Sequence, residues 1–253
     1  MAYSDLSFAL ELADLAAEVS VKAFRSAGLA VETKADGSPV TEVDRMVEGV
    51  LRDALAKYHP SDRVVGEEFG GAPGRGRCWY LDPIEGTSLY IEGSLHWSTL
   101  ISLAVDGVVT TGVVDYPATE RRYWGVRGDG AYANGDRMQA STVSRLEEAS
   151  VCDDYRHNIE RATPGHPLVR LAHHCSTVQP PPHGHSQLVV ACGEADVAFD
   201  SGGGPWDYAA FVILVEEAGG VATDIQGKPR FDSGSLLVTN GRLHSQALAT
   251  LGS

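Results

Sequence analysis

The sequence predicts a mixed α+β / α/β protein: N-terminal helices packed on an antiparallel sheet, followed by a smaller α/β part. Three observations carry this. Apolar residues recur at spacings of three and four in two opening segments, two-residue alternation with Gly-rich turns fills the region after Trp97, and short strands then alternate with apolar helical runs. At 253 residues, with 43% hydrophobic and 21% charged residues, the chain can bury ample core as one large domain or two small ones.

In the first helix Leu6, Leu10, Ala13, Ala17, Val21 and Phe24 form the apolar face, with Ser4 at the N-cap position and Gly28 as the stop. The polar, turn-rich 31–39 segment follows. A second helix opens at Thr41, presents Val43, Val47, Val50, Leu51, Ala54 and Leu55, and ends before Pro60. A short strand at Val64-Val65 runs into Gly66-Glu67-Glu68, and a Gly/Pro/Arg loop leads to the strand that delivers Asp82. Strands are expected at 99–105 and 108–116, joined by an Asp106-Gly107 turn, and again at 121–126 and 131–133. Trp97, Tyr116, Tyr123 and Trp124 read as core or interface groups. The character changes at 141–150, which divides the chain into 1–143 and 144–253. In the second part the pattern predicts strands at 151–153, 195–199, 221–223 and 236–238, with helices at 167–174, 187–192 and 206–217.

The net charge of -14 disfavours nucleic acid and anionic membrane as partners. No apolar run is long enough to span a bilayer and no secretory leader pattern opens the chain, so a cytoplasmic protein is expected. Cys78, Cys152, Cys175 and Cys192 lack a C-x-x-C pair and read as reduced thiols. The absence of G-x-S-x-G, of a Walker loop and of a strand-linked G-x-G-x-x-G removes serine-hydrolase, kinase and dehydrogenase readings.

The chemistry concentrates in Trp79-Tyr80-Leu81-Asp82-Pro83-Ile84-Glu85-Gly86-Thr87. An apolar strand breaks there into two acids, a glycine that allows close backbone approach, and a hydroxyl. Buried acids need a counter-charge, and a divalent cation supplies one. Glu67 at another strand end and Asp207 at a helix start add to the set, so that four acids and the Ile84 carbonyl suffice for two or three Mg²⁺ ions. Taken singly, each acid reads more simply as a cap, a turn or a solvated loop residue. Their coincidence changes the weighting.

Gly66-Glu67-Glu68, 79–87, Trp206-Asp207-Tyr208-Ala209-Ala210 and Glu217-Ala218-Gly219-Gly220 resemble the signatures of the inositol monophosphatase family, as do Lys34, Thr41-x-x-Asp44, Gly128-x-Gly130-Ala131 and Asn134-Gly135. The resemblance implies a layered αβαβα sandwich and a Mg²⁺-dependent phosphomonoesterase for a small phosphorylated alcohol, with Mn²⁺ as a substitute and a homodimer as the assembly. It assigns Glu67, Asp82 and the Ile84 carbonyl to one ion, and Asp82, Glu85 and Asp207 to a second. Thr87 with Glu67 would orient a metal-activated water, the Gly86 and Thr87 amides would bind phosphate oxygens, and Lys34 and Asp200 would face the substrate. His183 is expected to face it too, because it sits in a loop that departs from the family pattern.

Two departures stand out. Glu85 occupies a position that is usually Asp, and misplacement by about an ångström can cost ~10²-fold in rate, so a weakly active or non-catalytic member is the alternative. The Pro180-Pro181-Pro182-His183-Gly184-His185 stretch replaces a Gly-Ser/Thr/Asp loop, and Asp200 is shorter than the Glu often found there. Both point to an altered substrate wall, for a polyol, an amino alcohol such as histidinol phosphate, a sugar phosphate or a nucleotide. Six of nine histidines lie between His157 and His185 without a standard zinc spacing, and read as surface or substrate contacts alongside Tyr155 and Arg156.

Overall fold

A computed structural model of the chain describes residues 4–26, 28–153, 167–182 and 184–252. The chain forms two compact units, Met1–Val126 and Arg127–Ser253.

In the first unit, Ser4 accepts from the Ser7 amide and opens α1 (Asp5–Ala23). The buried stripe of α1 is Phe8, Ala9, Leu12, Ala13, Ala16 and Ser20, whereas Val21 is exposed. The expected face is therefore rotated: apolar residues surround this helix almost evenly, and packing chooses the phase that seats Phe8 against Trp79. The segment read as a polar turn contains a hairpin, β1 (Val31–Thr33) with β2 (Pro39–Thr41). Thr41 then caps α2 (Glu42–Tyr58) in a capping box with Asp44. Val43, Val47, Leu51 and Leu55 are buried as the periodicity predicts, but so are Asp44 and Glu48 on the same side.

Five strands follow: β3 (Arg63–Gly66), β4 (Arg77–Glu85), β5 (Ser98–Val105), β6 (Val108–Tyr116) and β7 (Arg121–Val126), in that sheet order, with the short α3 (Thr87–Ile91) between β4 and β5. The sheet is antiparallel from β4 to β7. β3 runs parallel to β4 and corrects the all-antiparallel expectation, since the ten-residue 67–76 loop carries the chain back to the same end of the sheet. Asp106 and Gly107 turn between β5 and β6 with φ of 51° and 83°, the backbone that matches strand twist in a tight hairpin.

The core of this unit joins α1 and α2 to the sheet through Leu12, Leu51, Trp79, Leu81, Trp97 and Ile101. One rim is held by charge. Arg77 bonds both oxygens of Asp5 at 2.8 and 3.0 Å and donates to Asp62 at 2.9 Å, and the same Asp62 oxygen accepts the Trp79 indole N–H at 2.9 Å.

In the second unit, β8 (Gly130–Ala133) and β9 (Asp136–Arg137) form a hairpin. A mixed sheet comprises β10 (Ser150–Cys152), β11 (Thr177–Gln179), β12 (Val197–Ser201), β13 (Val221–Thr223) and β14 (Ser235–Thr239), in the order β11-β10-β12-β14-β13. β10 is parallel to β11 and β12, and β14 is antiparallel to β12 and β13. The helices are α4 (Pro167–His174), α5 (Ser186–Ala191), α6 (Pro205–Glu217) and α7 (His244–Leu251). Residues 208–215 of α6 are all buried, because its sequence is apolar on every side. The sequence reading assigned neither β11, a three-residue edge strand, nor α7.

Two signature stretches have structural explanations here. The Glu217 carboxylate accepts the Gly128 and Gly130 amides at 2.9 and 3.0 Å and so holds that turn. A Cβ at Gly220 would lie 2.5 Å from the Thr239 carbonyl oxygen, which leaves room only for glycine. No helix among the described residues is long and apolar enough to cross a membrane, and the four cysteines are free thiols.

Asp62→Asn should lower stability by roughly 1–3 kcal/mol, because one buried oxygen then faces two donors without the charge that serves them. Urea unfolding followed by tryptophan fluorescence measures this.

Candidate active site

A strand places successive side chains on opposite faces, so residues three apart point in opposite directions. Asp82 and Glu85 escape that rule. Asp82 pairs with Leu100 and Glu85 with Ser98, so three steps along β4 oppose two along β5. The extra residue is a β-bulge, and it re-aims the two acids until their carboxylate oxygens lie within 4.8 Å of each other. Proline suits the bulge because no ladder donor is lost there. The Pro83 carbonyl is fixed by the Thr99 hydroxyl at 2.8 Å, and the Ile84 carbonyl accepts from the Thr87 hydroxyl at 3.0 Å. Asp82 is fully buried and Glu85 is 7% exposed.

Glu67 arrives on the loop after β3. Burial pushes its pKa up, a hydrogen bond from Lys34 and a contact with Asp82 pull it down, and the charge of Glu85 pushes it up again. Two carboxylates can share a hydrogen bond only with a proton between them, and a cation can take that proton's place. Lys34, in the β1–β2 turn, places its ammonium 2.8 Å from Glu67 and 2.5 Å from Glu68. Burial opposes that charge, yet the two glutamates more than compensate and hold the lysine above its ordinary value.

Thr87 opens α3 directly after Gly86, whose φ of 84° is a left-handed conformation suited to glycine. Its hydroxyl lies 3.0 Å from Asp44 Oδ1 as well as from the Ile84 carbonyl, two acceptors for its one proton. The second Asp44 oxygen receives the Thr41 amide at 2.9 Å and the Thr41 hydroxyl at 2.5 Å. Burial pushes the Asp44 pKa up while these bonds pull it down. A hydroxyl whose proton is held by a carboxylate keeps its lone pairs for an incoming water.

The first unit thus brings Lys34, Glu67, Asp82, Ile84, Glu85, Gly86 and Thr87 into one region. Asp207 and Asp200 belong to the second unit. Asp207 sits in the first turn of α6, where one carboxylate oxygen accepts the Gly204 amide at 2.7 Å. Asp200, on β12, is buried and accepts the Ser201 amide at 2.7 Å. His183, Tyr155 and Arg156 lie outside the described residues, as do His157 and His166.

Two residues escaped the sequence reading in their roles. Asp44 enters the sequence pattern only as part of a motif, and no motif includes Glu48. Both lie one turn apart on the buried side of α2, and a charged residue at each of two core-facing helical positions was the signal available. The donor set itself suits a divalent cation: hard, mostly buried carboxylate oxygens crowded against one another, plus a backbone carbonyl.

The profile of the inositol monophosphatase family matches residues 3–252. A histidinol-phosphatase of Mycobacterium tuberculosis is 38% identical, covering 99% of both chains. One of Chlorobaculum parvum is 35% identical, covering 98% of this chain and 96% of that one. Among solved structures, an inositol monophosphatase of Zymomonas mobilis superposes with a TM-score of 0.84 at 28% identity, covering 98% of each chain. Fold, acidic site and relatives together make the protein a phosphoric monoester hydrolase for small phosphorylated alcohols. The chain belongs to the inositol monophosphatase family.

A pair of glycine substitutions tests the site's scaffold. A Cβ at Gly66 would lie 2.0 Å from Glu48 Oε1, so Gly66→Ala should destabilise by roughly 1–3 kcal/mol. Gly49, in the middle of α2 with nothing within 4 Å of its missing Cβ, should gain up to about 1 kcal/mol on Gly49→Ala. Thermal melts of the two variants should move in opposite directions.

Proposed function

We propose that the protein is a Mg²⁺-dependent histidinol-phosphate phosphatase. Support for hydrolysis comes from the β4 bulge, which gathers Asp82 and Glu85 beside Glu67. Support for the substrate comes from whole-length similarity to relatives named histidinol-phosphatase.

In this reading Glu67, Asp82, Glu85, the Ile84 carbonyl and Asp207 hold two or three Mg²⁺ ions, with Mn²⁺ able to substitute. The bound ions would acidify water and neutralise charge on the phosphoryl and leaving oxygens. The Gly86 and Thr87 amides at the start of α3 bind phosphate oxygens. Thr87, its hydroxyl proton turned to Asp44, accepts a hydrogen bond from the attacking water and fixes it in line with the phosphorus, while Glu67 accepts the one proton that this water gives up. Lys34 favours the charged forms of Glu67 and Glu68 against the burial that opposes them, and contributes positive potential for the phosphate. Asp200 offers a buried carboxylate to the amine of an amino alcohol, and His183 is assigned to the substrate from its place in the proline-rich stretch of the sequence. Residues 1–143 supply most metal ligands and 144–253 supply Asp207 and the substrate wall. A cytoplasmic homodimer completes the proposal.

Phosphate release should be compared for histidinol phosphate, inositol 1-phosphate, fructose 1,6-bisphosphate and a nucleoside monophosphate, with Mg²⁺ and with Mn²⁺. Histidinol phosphate should lead in kcat/KM by ~10-fold or more. A better result with any other ester removes the substrate assignment, and no release from any of them removes the enzymatic one.

Glu85→Asp is the second test. The bulge fixes the backbone at this position, so a side chain shorter by one methylene should lower kcat/KM by roughly 10²-fold. A large gain would instead favour the weakly active reading.

A further inference from the structure

Four successive amides of the loop that carries Glu67 have partners in the fold, and one side chain accepts two of them. Gly66 N–H donates to the Gly70 carbonyl at 3.0 Å and Glu67 N–H to the Leu81 carbonyl at 3.1 Å. The next two amides have no backbone acceptor. Glu68 N–H donates to Glu48 Oε2 at 2.7 Å and Phe69 N–H to Glu48 Oε1 at 3.2 Å. Glu48 is fully buried in the middle of α2, and its Oε1 also receives Arg52 Nε at 2.7 Å. Another Arg52 nitrogen closes on the Gly70 carbonyl, so the arginine holds the far end of the same loop.

We propose that Glu48 is a positioning residue for the metal ligand Glu67: it clamps the 66–70 loop from below and so sets where that carboxylate stands. Three donors converge on Glu48: two amides and a guanidinium. The position therefore needs a group that only accepts, which a carboxylate is and an amide side chain is not. The fit is close, because any side chain at Gly66 would collide with Glu48 Oε1. Asp44, one helical turn earlier, holds Thr87 in the same manner. Helix α2 thus underpins two separate parts of the site with two buried acids. Outer groups that orient metal ligands typically cost 10–100-fold in metal affinity when changed.

The inference rests on the reading that Glu67 binds a divalent cation, and the test separates the two. Mn²⁺ binding to metal-stripped full-length protein is measured by calorimetry, with hydrogen exchange of the Glu68 and Phe69 amides measured on the same metal-free samples. Glu48→Gln should weaken Mn²⁺ binding by ~10-fold or more and speed exchange at those two amides. Asp62→Asn, comparably destabilised but remote in role, should keep wild-type Mn²⁺ affinity. Glu67→Gln reports on the site itself. If Glu67→Gln leaves Mn²⁺ binding intact, the metal reading fails and takes this inference with it. If Glu67→Gln weakens binding while Glu48→Gln matches wild type, the metal reading stands and the positioning role is overturned. Should Glu48→Gln not fold, Arg52→Ala decides, since Arg52 is partly exposed and its loss frees the same loop. A several-fold weaker Mn²⁺ affinity supports the clamp, and an unchanged one overturns it.

Discussion

The site depends on one irregularity in hydrogen bonding. Without the additional residue in β4 between Asp82 and Glu85, the two acids would project from opposite faces of the sheet and could not share a ligand. The bulge aligns them, and it leaves the intervening Pro83 and Ile84 carbonyls to be held by Thr99 and Thr87. It also delivers the chain into Gly86, where a left-handed turn starts α3 and brings the Thr87 hydroxyl alongside. Acid, carbonyl, amide and hydroxyl are then presented within six residues, with the backbone fixed at each.

The electrostatic cost of this arrangement is offset within the same unit. Asp82, Glu85 and Glu67 crowd their charges in a region where burial already disfavours ionisation. Lys34 relieves part of that by bonding Glu67 and Glu68 together. The remainder is what a hard divalent cation would neutralise. A phosphoryl group brings further negative charge, so in an acidic chain of net charge -14 the local field must come from ions and amides rather than from the protein's overall charge.

Much of the first unit was legible because its signals are local. The Asp-Pro-Ile-Glu-Gly-Thr run, the capping position at Thr41 and the Asp106-Gly107 turn each determine their own backbone. Position-by-position comparison with a family motif is what singles out Glu67 and Asp207 as candidate ligands. What could not be read depended on tertiary contacts. The phase of α1 is ambiguous in a helix rich in Ala and Leu, and the parallel pairing of β3 depends on how a loop returns. Glu48 carries no motif or spacing that marks it in the sequence. Nothing in its immediate sequence shows that its partners are backbone amides twenty residues away.

That hidden dependence bears on Glu85. A carboxylate on a longer stem has more rotameric freedom than Asp, and only its surroundings can restrict it. Here the surroundings are restrictive: Glu85 is nearly buried at a strand end and paired with Ser98. The additional methylene must therefore be absorbed by the side chain and whatever it binds, with the backbone unchanged. Glu67 faces the opposite situation, since its loop owes its shape to a side chain from α2. One acid is placed by its own strand and the other by a helix beneath it, so the separation between them is set by how α2 packs on the sheet. Core residues such as Val47 and Leu51, far from any chemistry in sequence terms, then help fix the spacing of the donor set.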